Sequence, residues 1–228
     1  MFTFLRQVLC HLLWPVVCPL CGRTAVPVCP ACLDALLPPP TPVCPRCGVP
    51  APCPAHPDLP PLFFGTLHDG MPRRLLLDLK YRGQASLGIP MGHALGRLVA
   101  ACPSFPEGDL VPVPLHRGSP RSFNQAKLFA EGMASVLSRP VRDVLEWQRS
   151  LPPQAERSAA DRRSLPEEAL AVRRCSGSLR GVILVDDVCT TGTTFLRAAG
   201  AVMHAGGTVS ALVSWSRSRG GGDPHGPL

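Results

Sequence analysis

Two adjacent acids followed by a run of hydroxyls stand where a chain could grip a sugar phosphate. Residues 182–185 are Val-Ile-Leu-Val; Asp186, Asp187, Val188 and Cys189 follow, and then Thr190, Thr191, Gly192, Thr193 and Thr194. Four apolar residues suit a buried strand, and the stretch 193–204 carries apolar residues at helical spacing. The backbone N–H groups of the intervening turn, its threonine hydroxyls and the positive helix N-terminus can wrap a phosphate monoester. A glycine at 192 lets the backbone come close. Asp186 and Asp187 would repel a phosphate, so they suit hydrogen bonds from sugar hydroxyls, or a Mg²⁺ ion held through water. A bare turn would need no such combination. A Walker-type nucleotide loop is disfavoured, because the Gly-Lys-Ser/Thr ending is absent.

A second chemistry lies near the amino terminus, in a repeat. Cys18-Pro-Leu-Cys21-Gly22 is followed by Cys29-Pro-Ala-Cys32, and Cys44-Pro-Arg-Cys47-Gly48 by Cys53-Pro-Ala-His56. Thiolate and imidazole at this spacing are the ligands of tetrahedral zinc. Gly22 and Gly48 suit the positive φ that turns backbone N–H groups toward the sulfurs. The repeat favours one ion per half: Cys18, Cys21, Cys29 and Cys32 for one, Cys44, Cys47, Cys53 and His56 for the other. An interleaved cross-brace would use the same eight ligands. With all four positions filled by protein, both ions would be structural. Cys10, Cys102 and Cys175 read as ordinary thiols.

These residues need elements to hold them. The pattern predicts a strand over 62–67, helical stretches over 72–80 and 85–101, a strand over 109–115, a helix over 123–137 and a candidate strand over 141–147. It continues with a buried strand over 182–187, a helix over 193–204 and a strand over 208–215. Strands alternating with helices predict an α/β domain with a parallel sheet, whose ligands bind beyond the carboxyl ends of the strands. The expected organisation is a leader helix (residues 2–13) and zinc-binding region over 1–60, an α/β domain over 61–217 and a flexible tail over 218–228. The polar, arginine-rich segment 148–180 reads as a long loop, of the kind used as a lid or left disordered.

The formal net charge is +7, and the basic excess lies in the central body, where an anionic ligand would be welcome. The apolar leader is broken by Arg6, Gln7 and His11, which fits neither a signal peptide nor a membrane span. It is expected to pack on the protein, with weak peripheral membrane contact as the minor alternative. Paired cysteines without an export signal imply metal in a reducing cytoplasm rather than disulfides.

The stretch from Val182 to Thr194 resembles the type I phosphoribosyltransferase motif, which binds 5-phosphoribosyl-1-pyrophosphate (PRPP) with Mg²⁺. Cys189 departs from it, standing where an aliphatic residue is usual. Residues 10–217 as a whole resemble the ComF family, proteins of bacterial DNA uptake that join a zinc finger to a phosphoribosyltransferase-like domain. Three further stretches carry this likeness: Leu79-Lys80-Tyr81-Arg82-Gly83; residues 111–116 with 121–126; and Pro152-Pro153-Gln154-Ala155 followed by Arg162-Arg163. Leu151 departs from a threonine usual at that place in the lid. The resemblance implies a phosphoribosyltransferase-like fold preceded by a zinc ribbon, with Lys80, His116, Arg117, Arg121 and Gln154 as pyrophosphate or lid residues. It also implies single-stranded DNA and DNA-uptake proteins as partners. Tyr81 reads as a packing residue in preference to a base-stacking one. Three functions fit: a competence protein handling internalised DNA, an active phosphoribosyltransferase with an unassigned acceptor, and a PRPP-sensing regulator without catalysis.

Overall fold

The computed structural model describes residues 16–24, 26–116, 118–148, 170–173 and 177–218. The expected leader helix, Cys10, Arg117, Gln154, Cys175, the lid arginines and residues 219–228 lie outside them. In chain order the elements are α1 (Pro30–Leu36), β1 (Leu62–Leu67), α2 (Gly70–Tyr81), α3 (Gly88–Ala100), β2 (Leu110–Pro112), α4 (Gln125–Leu137), β3 (Leu145–Trp147), β4 (Leu170–Val172), β5 (Val182–Cys189), α5 (Thr193–His204) and β6 (Val209–Arg217).

Strands β1, β6, β5 and β2 form a parallel sheet in that order. The fold class expected from the sequence, α/β with a parallel sheet behind a small cysteine-rich region, is the one the chain adopts. Alternate residues of β5 feed two cores. Ile183 and Val185 join Leu75, Leu79, Met91, Leu95, Phe129, Met133 and Trp215 on the face covered by α2, α3 and α4. Val182 and Leu184 join Phe195, Ala198 and Val202 of α5 on the other. With both faces covered, the strand reads as a continuous apolar run rather than an alternating one.

Helix α4 follows β2 onto one face, and α5 follows β5 onto the opposite face. The loops leaving these adjacent strands therefore diverge at their carboxyl ends and open a crevice, where ligands of such sheets bind. Helices α3 and α4 pack closely because glycines meet: a Cβ on Gly92 would stand 3.0 Å from the Cα of Gly132.

Three departures from the sequence-based expectation have physical causes. Helix α1 lies in a region without apolar periodicity; Pro30 at its first turn and the buried Leu33 are its only signals. Segment 148–180 contains β4, which pairs antiparallel with β3 through Leu145 with Val172 and Trp147 with Leu170. Strand β3 itself is shorter than the 141–147 expected, because Val141 instead makes an isolated bridge to Leu110.

Candidate phosphate site and metal clusters

Strand β5 runs two residues past the acid pair, so Asp186 lies beside Ser214 and Cys189 beside Arg217 of β6. Gly192, at φ 74°, turns the chain into α5 as its N-cap. Thr190, Thr191 and Thr193 are exposed around that helix N-terminus, Thr194 is half-buried and Gly192 is buried. The Thr191 and Thr193 hydroxyls lie 2.8 Å apart. Exposed hydroxyls at a helix N-terminus form a donor set suited to an anion.

The acids behind this loop differ in environment. Asp187 is paired with Lys80 of α2, Nζ to Oδ1 2.8 Å. Asp186 accepts from the Asp187 N–H at 2.7 Å. Burial, followed by the charge of Asp187, pushes the Asp186 carboxyl up to about 8, against the opposing pull of that N–H, Lys80 and Arg121. The raised value favours the protonated carboxyl near neutral pH, and a cation bound beside it would favour the carboxylate.

Across the crevice, Asn124 caps α4, accepting from the Ala126 N–H at 3.0 Å and donating to the Val113 carbonyl at 2.9 Å. This ties the start of α4 to the loop after β2. Arg121 donates to Ser119 Oγ at 2.8 Å and Gln125 Oε1 at 2.7 Å. His116 is exposed, with its ring 5.1 Å from that of Trp147. Trp147 in turn donates from Nε1 to the Pro114 carbonyl at 3.0 Å, so the β3–β4 ribbon is anchored beside this loop.

Lys80 is in direct contact with Asp187, and its charge acts on Asp186. His116 and Arg121 stand on the neighbouring loop, and Arg121 is near enough for its charge to act on Asp186. Tyr81, expected to pack, is instead 69% exposed, since it ends α2 on the solvent side. The structure adds His68, just past β1, which no motif marked. Its Nδ1 lies 2.8 Å from Ser216 Oγ, and burial, then the charges of Arg73 and Lys80, lower its pKa. Its only sequence signal is a place after a predicted strand.

The eight predicted metal ligands assemble as two groups, Cys18, Cys21, Cys29 and Cys32, and Cys44, Cys47, Cys53 and His56. Within each, the ligand atoms lie within 4.8 Å of one another. The pairing is therefore sequential rather than cross-braced. Cys21 and Cys29 sulfurs are 3.5 Å apart, as are those of Cys47 and Cys53, while His56 Nδ1 lies 3.5 Å from both Cys44 and Cys53. These separations are far beyond the roughly 2.05 Å of a disulfide. They approach the edge of about 3.8 Å of a tetrahedron with sulfurs about 2.3 Å from zinc. Gly22 and Gly48 take φ 72° and 78°. Burial raises the Cys18 thiol, but N–H groups of Cys29, Leu20 and Cys21 outweigh it and bring it down to about 6. Both clusters could hold a zinc ion.

Neither a family model nor a curated protein matches the chain. Solved structures do. A structure described as the allosteric regulatory enzyme of purine biosynthesis is 21% identical with a TM-score of 0.35, over 55% of this chain but only 25% of that one. Adenine phosphoribosyltransferase from Thermoanaerobacter pseudethanolicus is 20% identical with a TM-score of 0.36, over 61% of this chain and 83% of that one. The adenine phosphoribosyltransferase of Leishmania donovani is 19% identical with a TM-score of 0.38, over 69% and 72%. Likeness at this level decides nothing about the ligand, which has to be read from the residues of the site. Among the described residues no helix is long and apolar enough to cross a membrane.

Proposed function

We propose that this chain binds PRPP with Mg²⁺ at the loop between β5 and α5, in a ComF-like protein that handles single-stranded DNA. The observation that carries the ligand is the juxtaposition at one sheet edge of an acid pair, a hydroxyl-rich loop on a helix N-terminus, and basic residues on the neighbouring loop. Residues 190–194 would hold the 5′-phosphate. Asp186 and Asp187 would accept from the ribose hydroxyls, and Lys80, His116, Arg117 and Arg121 would meet the pyrophosphate, with Gln154 in the lid. Mg²⁺ would be held at the acid pair through water, where it would neutralise pyrophosphate charge. The donor set fits it: two adjacent carboxyl groups at one strand end, Asp187 paired with Lys80 and Asp186 beside it.

The organisation we propose is a metal-bearing region up to residue 60, a phosphoribosyl-binding body over 61–217, and a tail. Support for DNA handling is the central basic excess and the two cysteine clusters, one of them against the proposed phosphoribosyl loop. DNA-uptake proteins would be its partners, in the cytoplasm. Calorimetry with PRPP and Mg²⁺ tests the ligand: Asp186→Ala with Asp187→Ala is expected to abolish binding, and undiminished binding would sink the assignment. A shift assay with a labelled oligonucleotide tests the second part, with binding expected near 10⁻⁴ to 10⁻⁶ M, the benchmark for non-specific contact, and weakening steeply with salt. Salt-insensitive binding, or none, would leave only the phosphoribosyl reading.

A further inference from the structure

The two cysteine clusters pack against different parts of the body. The first packs on the body: Cys18, Val28, Cys29 and Leu33 share a core with α3, and Asp34 pairs with Arg97 at 2.7 Å. The second is pressed against the phosphate loop itself. Pro45, in the turn between ligands Cys44 and Cys47, is buried, and its carbonyl accepts from Cys189 Sγ at 3.8 Å. On Gly192, a Cβ would stand 2.8 Å from the same oxygen, so loop and turn touch with no room for a side chain. On the adjacent strand end, the Arg217 guanidinium lies where a Cβ of Gly48 would be. Its buried Nε has no hydrogen-bond partner among the described residues. Three thiolates and one imidazole around Zn²⁺ would carry a net negative charge, which this guanidinium faces. Reciprocal hydrogen bonds between Val43 and Leu62, 2.9 and 2.8 Å, clamp the module to β1.

We propose that the Cys44/Cys47/Cys53/His56 module is a working wall of the phosphate loop. Metal in this cluster positions residues 189–193, and anion binding at the loop tightens that metal in return, while among the described residues the first cluster makes no such contact. The argument is one of differential contact. Cys44 and Cys47 would be joined to Cys53 and His56 by converging on one ion; without it, the turn carrying Pro45 keeps its own backbone bonds, Gly48 N–H to the Cys44 carbonyl at 2.9 Å and Cys44 N–H to the Val49 carbonyl at 2.8 Å, but loses that tie to the rest of the module. A wall that loosens no longer defines the path of Gly192, and so of the N–H groups that follow it. Coupling of this kind is reciprocal by thermodynamic necessity. The ligand half of the proposal rests on the phosphoribosyl reading; the link between metal and loop does not.

The test uses the full, zinc-loaded chain without ligand, following hydrogen exchange of residues 189–194 by mass spectrometry. His56→Ala is expected to speed their exchange by roughly tenfold, within the usual range of site-to-site coupling, while Cys21→Ser leaves them at the parent rate. Unchanged exchange in His56→Ala, or equal acceleration in both variants, would overturn the proposal. Should His56→Ala fail to fold, zinc transfer to a chromophoric chelator gives the second arm. Gly192→Ala is expected to release one of two zinc ions several-fold faster and the other at the parent rate; two unchanged rates overturn the link. A final arm adds PRPP and Mg²⁺ to the parent. Slower release of one zinc ion supports both halves, and binding heat with unchanged release overturns the coupling. No binding heat beside accelerated exchange in His56→Ala leaves the link supported and ends the phosphoribosyl reading.

Discussion

Lys80 Nζ lies 2.8 Å from Asp187 Oδ1, and both side chains are mostly buried, at 15% and 16% exposure. The pair joins the end of α2 to the ligand edge of β5. It neutralises one carboxylate of a crowded acid pair with a cation drawn from a different part of the chain. Lys80→Met should leave the mostly buried Asp187 carboxylate without its cation. The expected cost is about 3 kcal/mol, the low end for one-sided removal of a buried pair. Urea unfolding measures it, and Lys80→Met with Asp187→Asn should recover part of the loss. A cost below about 0.5 kcal/mol would mean that the pair behaves as a surface salt bridge.

Asp186 predicts a pH dependence. Its folded pKa is raised to about 8, against about 3.9 for an unfolded aspartate. The folded state therefore keeps a proton that the unfolded state has lost. Its contribution to stability is fully present below the unfolded pKa and is lost as pH rises through the folded one. Parent and Asp186→Asn should be unfolded in urea without Mg²⁺ from pH 5 to 9. Relative to the variant, the parent is expected to lose stability as pH rises, with the difference levelling above about 8. A constant difference across that range would contradict the burial of this carboxyl.

Thr191 offers a gentler probe of the loop. Its hydroxyl lies 2.8 Å from that of Thr193 at the mouth of α5. Replacing it by valine keeps the shape and removes one donor. PRPP binding should weaken by about 1.5–3 kcal/mol, the range for a hydrogen bond to a charged group, with the thermal midpoint little changed because Thr191 is exposed. Calorimetry and a thermal scan of the same samples separate the two effects.

Elemental analysis should find two zinc ions per chain, one for each cluster. Cys18→Ser is expected to release one of them. It should also lower the stability of the α/β body, because Cys18, Val28, Cys29 and Leu33 share a core with Leu95 and Val99 of α3. A urea midpoint unchanged from the parent would show that the first module is an independent appendage.

Much of the site is legible in the amino-acid sequence. The four apolar residues of β5, the turn at Gly192 and the helix after it are local features, and α5 begins and ends where the apolar spacing places it. The two cysteine clusters are legible for a similar reason: two cysteines separated by two residues can converge within a single turn, and glycine at the next position takes positive φ. Helix α1 and strand β4 leave no such mark because each is short. Their apolar residues are too few to show a period, and both are stabilised by surfaces contributed from elsewhere, α1 by α3 and β4 by β3 and α5.

Residue types and their spacing suffice for the candidate ligand clusters, the hydroxyl-rich loop and the α/β class, because each depends on residues close in the chain. Contacts between distant segments depend on how the whole core packs. Nothing local tells Lys80 that Asp187 will stand beside it, brings His68 to Ser216, or lays the Pro45 turn against Gly192. Those contacts arise because β1, β6, β5 and β2 end at one edge of a parallel sheet. That alignment follows from burying both faces of the sheet, a requirement of the whole core rather than of any segment.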